Sequence, residues 1–300
     1  MKPFKMLTPP VKALIILFVM IGSAFAQTCT WTGEKGDGKW SSAENWENGE
    51  KPVSGNGDEV IISGVGLVNG EMDNNIGQMT LNKLTFAGAT PFRLTGAAIV
   101  PAAASECLVK TATDCVTNAT PIVLSAEGDY TFSNKGGSGD MKGANDFVIA
   151  GVISGAGRVA VKGDSTKRVA LAGENTHTGG LKDVDGSTLT FSNAKAAGAD
   201  GAVVVANRYV WFNALGDYHC MITNTATGGY DFVFQKQGTY EFYGPVYAAA
   251  TGQIKFNSYQ YPKIISASTI IFHERVDFPK ATSLYPVLGN GFTTKFMGPI

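Results

Sequence analysis

Eight residues in the second half of the chain are of the types that do acid–base chemistry: Asp217, His219, Asp231, Glu241, His273, Glu274, Arg275 and Asp277. Glycoside hydrolysis needs two carboxyl groups at a set separation. Lyase chemistry needs a base beside a cation that holds developing charge. The tightest group is His273-Glu274-Arg275 with Asp277. Side chains alternate along an extended strand, so His273 and Arg275 share one face and Glu274 takes the other. The group therefore reads as a solvated strand face. The sequence has no nucleophile elbow and no His-Glu-x-x-His pair. Asp37 and Asp58 lie among glycines but outside any repeating calcium-binding nonapeptide. On this basis no catalytic residue, metal ligand or cofactor is assigned, and a non-enzymatic role is expected. A polysaccharide lyase or hydrolase is one alternative, and a carbohydrate-binding module is the other.

Four cysteines and a tryptophan cluster are the other chemically distinctive groups. An even cysteine count in an exported chain favours disulfides, and Cys29, Cys107, Cys115 and Cys220 allow three pairings. Cys107 and Cys115 flank 110–114, which suits a loop tip, so this bridge is expected; Cys29–Cys220 then follows by elimination. The competing zinc reading needs clustered Cys and His, and His219-Cys220 is the only adjacent pair. Trp31, Trp40 and Trp46 fall within 16 positions. Exposed, their faces would suit the apolar side of a sugar ring, which makes them candidate glycan contacts. Buried, they would close the open end of a coil of strands, whose core and edges otherwise meet water. The cap is the preferred role.

The elements that carry these residues are short strands. From Phe147 to Phe191 the alternating runs Arg158–Lys162, Arg168–Ala172 and Ser187–Phe191 are separated by glycine corners. Val159 with Val161, Val169 with Leu171, and Leu189 with Phe191 point to one side, the period of a half-buried strand. Similar runs are expected at 60–63, 83–86, 92–94, 122–125, 130–132, 202–206, 209–213, 230–234, 239–242, 253–256, 263–265 and 269–272. Phe232, Phe234, Tyr240, Phe242, Phe256 and Phe272 are expected to stack between successive rungs. Spacing in the second half is about 20 residues, which gives about ten rungs for the chain. The segment Ala97–Thr120 breaks that spacing and is expected to be a loop excursion. The glycines of 133–143 lack the Gly-Lys-Ser/Thr ending and the following helix of a phosphate loop.

The ordered run Ile153-Ser154-Gly155-x-Gly157, Lys162-Gly163, Leu171-x-Gly173-x-Asn175-x-x-Thr178-Gly179-Gly180 and Val184-x-Gly186-x-x-Leu189 resembles the autotransporter-associated β-strand repeat. His177 stands where that family usually has an aromatic such as Tyr, and Leu181 where it usually has Thr. The Trp-x-Gly, Trp and Asn-Trp sequence of 31–46 is similar to the opening module of exported proteins with this repeat. The resemblance implies an all-β fold, a right-handed parallel β-helix (solenoid) with an N-terminal Trp-rich cap.

The first 26 residues have the charged start, short apolar core and Ala24-Phe25-Ala26 site of a cleaved signal peptide. The expected organisation is signal peptide 1–26, N-terminal cap 27–62 and β-helix 63–300. Of 24 basic residues three lie in the leader, leaving 21 against 25 acidic. No basic patch suited to nucleic acid is present. The C-terminal sequence lacks a block of amphipathic strands, so no outer-membrane barrel of its own is expected, nor any membrane span after cleavage. Export by another system and a longer gene product both stay open. The expected place is extracellular or on the outer surface of a Gram-negative-type bacterium, with the periplasm as the alternative. The expected role is structural or adhesive display, toward a host or environmental glycan or a surface protein.

Overall fold

A computed structural model describes residues 26–137, 146–163, 166–225, 230–248, 253–257, 268–277, 283–287 and 293–300, with backbone alone at 230–231, 253–257 and 283–287. The leader and the 263–265 strand expectation lie outside the described residues.

The chain is nearly all-β. Short runs of Val, Ile, Phe and Thr are cut by Gly and Asn corners before any helix can nucleate. The helical turns described are two three-residue 3-10 pieces, Ala43–Asn45 and Glu47–Gly49. The described strands form four sheets in which every strand pair is parallel. An 11-stranded sheet runs from Thr28–Thr30 through Glu59–Ser63, Lys83–Ala87 and Glu106–Lys110 to Val276–Asp277. A 10-stranded sheet runs from Glu71–Asn74 to Ser283–Val287. Two four-stranded sheets form a third side. The first comprises Met79–Leu81, Ile99–Pro101, Ile122–Leu124 and Ile153–Gly155; the second comprises Gly216–Tyr218, Thr239–Phe242, Thr269–Phe272 and Thr293–Phe296. The chain visits the three sides in order and returns beside its starting strand, as Glu59–Ser63 and Lys83–Ala87 show. Between Gly155 and Gly216 the third side is made of turns, 172–180 and 192–202.

The interior is a set of columns in register. In the 10-stranded sheet Met72, Leu94, Asn118, Ile149, Leu171, Phe191, Phe212 and Phe234 follow one another at the same position, and all are fully buried. Phe191, Phe212 and Phe234 stack at 5.6 and 5.1 Å. A second stack runs Tyr218, Phe242, Phe272 and Phe296 at 5.1, 5.1 and 5.4 Å. The expected aromatic ladder thus holds at Phe234, Phe242 and Phe272, and Phe232 also stacks on Phe212 of the preceding strand at 6.2 Å. Tyr240 instead meets Phe234 edge-on at 4.8 Å and donates its hydroxyl to the Lys236 carbonyl at 2.7 Å. The Phe256 side chain lies outside the described residues. Each such buried ring removes enough apolar surface from water to contribute about 2 kcal/mol.

Three expectations are corrected here. Ala97–Thr120 is not a loop excursion: Ile99–Pro101, Glu106–Lys110 and Val116–Asn118 place one strand on each of the three sides. The alternation fails to show because a β-bulge inserts Cys107 between Glu106, opposite Thr131, and Leu108, opposite Phe132. Polar Lys110 and Asn118 also occupy inward positions and are fully buried. Second, Cys107 and Cys115 are free thiols rather than a bridge. Cys107 lies on the 11-stranded sheet with its sulfur 3.7 Å from the Thr131 carbonyl, whereas Cys115 leads into a strand of the 10-stranded sheet. Third, Cys29 and Cys220 are also free. Cys29 is on the first strand of the 11-stranded sheet and Cys220 just before the ninth, Met221–Asn224. Eight strand spacings are about 38 Å, against a Cα limit of about 7 Å for a disulfide. Burial pushes the Cys29 thiol up to about 11, and Cys107 and Cys220 to about 12.

The repeat segment explains its own glycines and asparagine. Gly155 has φ +99°, and an added Cβ would sit 2.2 Å from the Leu124 carbonyl oxygen of the neighbouring strand. Asn175 accepts from the Ile153 N–H and donates to the Ala196 carbonyl, both at 2.8 Å. It therefore ties together three successive levels of the third side where strand pairing is missing.

Candidate functional site

Trp31, Trp40 and Trp46 are buried, so their faces are not free to stack on a sugar and the glycan-contact expectation for them is corrected. Trp46 meets Trp31 and Trp40 edge-on at 5.2 and 5.5 Å. Its indole N–H donates to the Trp40 carbonyl at 2.8 Å, and that of Trp31 to the Val65 carbonyl at 2.9 Å. Asp37 knots the same region by accepting from Ser42, Asn45 and the Lys39 N–H. Desolvation works against ionisation there, but these donors outweigh it and hold the carboxyl at about 2.

The chemically distinctive surface is the outer face of the second four-stranded sheet. Parallel pairing sets Asp217 beside Glu241 and Glu241 beside Ile271. Two residues further along each strand the rings of His219, Tyr243 and His273 stack in one pile. Their centroids are 4.8 and 4.2 Å apart and the planes agree within 8°. Glu241 Oε2 is 2.8 Å from His273 Nε2 and accepts from the Tyr243 hydroxyl at 3.0 Å. The hydrogen bonds from His273 and then Tyr243 hold the Glu241 carboxyl below its usual range. The same bond raises the Tyr243 hydroxyl, because ionisation would set a phenolate against a carboxylate. At the upper end of the pile His219 and Asp217 line a narrow notch with Lys195 and Asp200 of the 192–202 turn.

Asp217, His219, Glu241 and His273, from four of the eight sequence candidates, thus share one face. Arg275 and Asp277 pair with each other at 2.7 Å around the corner, at the strand that ends the 11-stranded sheet. Glu274 is exposed in the turn between. The Asp231 side chain lies outside the described residues. Tyr243 was not among the candidates, although a signal for it exists: Asp217-x-His219 and Glu241-x-Tyr243 repeat an acid–x–ring spacing on successive turns.

A glycosidase acid needs its carboxyl pKa raised, and Glu241 moves the other way. Tyr243 stands between the two imidazoles, so they do not meet at one point. Among the described residues no group of three or more His, Cys, Asp or Glu is placed to hold a metal ion. A second groove is lined by Glu127, Asp129 and Arg158, where Asp129 takes Arg158 Nε at 2.5 Å and lies 3.6 Å from Lys182 Nζ. No described helix is long and apolar enough to cross a membrane. Comparison of the chain with protein-family descriptions, with curated proteins and with solved structures finds no match.

Proposed function

We propose that the chain is a right-handed parallel β-helix with an N-terminal Trp-rich cap, exported to the outer cell surface or beyond as a non-enzymatic display protein. The observation that carries this reading is the uninterrupted parallel register: ten strands of one sheet follow one another in chain order, with an in-register interior. Such a coil is rigid because each turn is hydrogen-bonded to both neighbours. It offers its partner long flat outer faces rather than an enclosed pocket. The buried Trp cluster, with its indole donors spent on backbone carbonyls, supports the cap. The charged, apolar and small-residue sequence of 1–26 supports export.

Expression of the full chain in a Gram-negative host tests the reading. A mature chain beginning at Gln27, and reached by antibody on intact cells, is expected. An uncleaved chain confined to the cytoplasm would sink it. A polysaccharide-active enzyme is the second reading, favoured by the juxtaposed Asp217 and Glu241 carboxylates. Release of reducing ends or unsaturated products from any polysaccharide, abolished in Glu241→Gln, would replace the first reading with this one.

A further inference from the structure

We propose that the outer face of the second four-stranded sheet binds a neutral polysaccharide chain laid along the sheet, about one sugar per turn of the protein. The inference rests on the display reading above and names the partner of one face. Three aligned rows make up that face. Thr239, Thr269 and Thr293 form one, in direct register. Asp217, Glu241, Ile271 and Lys295 form the second. The ring pile of His219, Tyr243 and His273 forms the third. In the threonine row and the ring pile the same kind of group therefore recurs at the strand spacing of about 4.8 Å, and an extended polymer of similar units can make those contacts at each step, while the middle row changes from carboxylate to Ile271 and Lys295.

The chemistry on offer is that of sugar hydroxyls. The threonine hydroxyls and imidazole nitrogens donate or accept, and the carboxylates accept. Glu241 spends Oε2 on His273 and Tyr243, and no hydrogen bond among the described residues uses its Oε1. Tyr243 is exposed enough, at 38%, to lend an apolar edge. Because the rings cover one another, the sugar meets their edges along the pile. His219 ends the pile beside a notch that has room for about one water molecule, so it too meets the sugar by its edge. The rings are already held by stacking and by Glu241, so little side-chain freedom is lost on binding. Charge selects the class of polymer. Asp200 and Asp217 line the notch with Lys195, Glu241 lies beside Asp217, and Lys295 stands two strands beyond Glu241, so three carboxylates outnumber the cations at the notch end and a uronate or sulfated chain would bring like charges together there.

Affinity electrophoresis of the full mature chain tests this, with gels containing neutral polymers (mixed-linkage β-glucan, xylan, galactomannan) or acidic ones (polygalacturonate, alginate). At least one neutral polymer is expected to retard the protein and the acidic ones are not. Retardation should weaken about tenfold in His219→Ala/Tyr243→Ala, equivalent to about 1.4 kcal/mol, and severalfold in Glu241→Gln. Thermal midpoints measured beside these show that the exposed substitutions leave the fold intact. Tyr243→Phe, which keeps the pile and removes one hydroxyl, should retain most of the binding. The proposal is overturned if no neutral polymer retards the chain, if only acidic polymers do, or if the double variant binds as the parent does. A surface-exposed protein without retardation refutes this site alone; retardation of a chain that stays in the cytoplasm refutes the display reading alone.

Discussion

Acidification from pH 7 to 4.5 probes the interior at His177. This residue sits in the 172–180 turn, fully buried. Its Nε2 is 3.1 Å from the Gly180 carbonyl, and Nδ1 has no partner. Desolvation lowers its pKa from 6.5 to about 4, outweighing the pull of the nearby Gly180 and Ile153 carbonyls, which favour the charged ring. The folded state therefore binds fewer protons than the unfolded state between these values. Stability is intact above pH 6.5, falls as the pH drops toward 4, and levels off below. Linkage over that interval gives a loss of about 2.5 kcal/mol at pH 4.5 relative to neutral pH. His177→Phe keeps a ring of similar size and removes the titration. At pH 7 it should be less stable than the parent by about 1 kcal/mol, the worth of the lost hydrogen bond. At pH 4.5 it should be the more stable protein by about 1 kcal/mol or more. Asp183, whose carboxyl burial raises, responds to acid in the opposite direction, but it is common to both proteins and cancels in the comparison. Urea unfolding of the two proteins in parallel from pH 8 to 4.5 measures the difference. A gap that stays constant across that range would refute the reasoning.

Three further outcomes are expected. Arg168 is almost fully buried, forks onto Asp146 at 2.8 and 3.1 Å and lies 4.6 Å from the Trp211 ring; Arg168→Ala should lower unfolding stability by about 3 kcal/mol in a denaturant titration. Mass spectrometry after alkylation without reductant should count four modified cysteines in urea, with half-buried Cys115 modified first in the native protein; a protein two or four mass units light would restore the bridges. Trp40→Ala should cost about 3–5 kcal/mol by emptying the fully buried Trp40 side of the indole cluster, while the folded fraction still migrates as the parent does in polysaccharide gels.

Legibility from sequence depended on what occupies the inward positions. Where Val159, Val161, Val169, Leu171, Leu189 and Phe191 point inward, the strands stand out, because an apolar period of two belongs to little else. Where Asn74, Lys110, Asn118 and Asn224 point inward, the same architecture is hidden. Asn74, Lys110 and Asn224 are tolerated because corners supply backbone partners, and Asn118 Oδ1 accepts from the Thr120 hydroxyl at 2.8 Å. Asn74 Nδ2 donates to the Gly77 and Ala97 carbonyls, and Asn224 Nδ2 to the Arg208 carbonyl. Lys110 Nζ donates to the Ala112 carbonyl at 2.7 Å and lies 3.4 Å from Asn134 Oδ1, with burial pulling its pKa down. A hydropathy pattern registers each of them as an interruption.

The ring pile is only half legible, through the acid–x–ring spacing of Asp217-x-His219 and Glu241-x-Tyr243, and the rest is hidden for a reason of register. Tyr243 follows His219 by 24 residues and His273 follows Tyr243 by 30, so no fixed period links them. Turns of this chain vary in length because the corners absorb insertions while the strands stay paired: strands of the 10-stranded sheet begin at 168, 188, 209, 230, 253 and 283. Only the pairing of Tyr218 with Phe242 and of Phe242 with Phe272 converts those unequal separations into one straight column. The interior therefore dictates the exterior. Aromatic residues that must stack inside fix the level of each strand, and the residue one position further on, pointing outward, is placed at the same level. Inserting one residue between Phe242 and Tyr243 would keep the Phe242–Phe272 stack and turn the tyrosine away from its imidazole neighbours. Such a variant should fold normally and lose retardation in neutral-polymer gels; retention of both would separate the surface chemistry from the interior register.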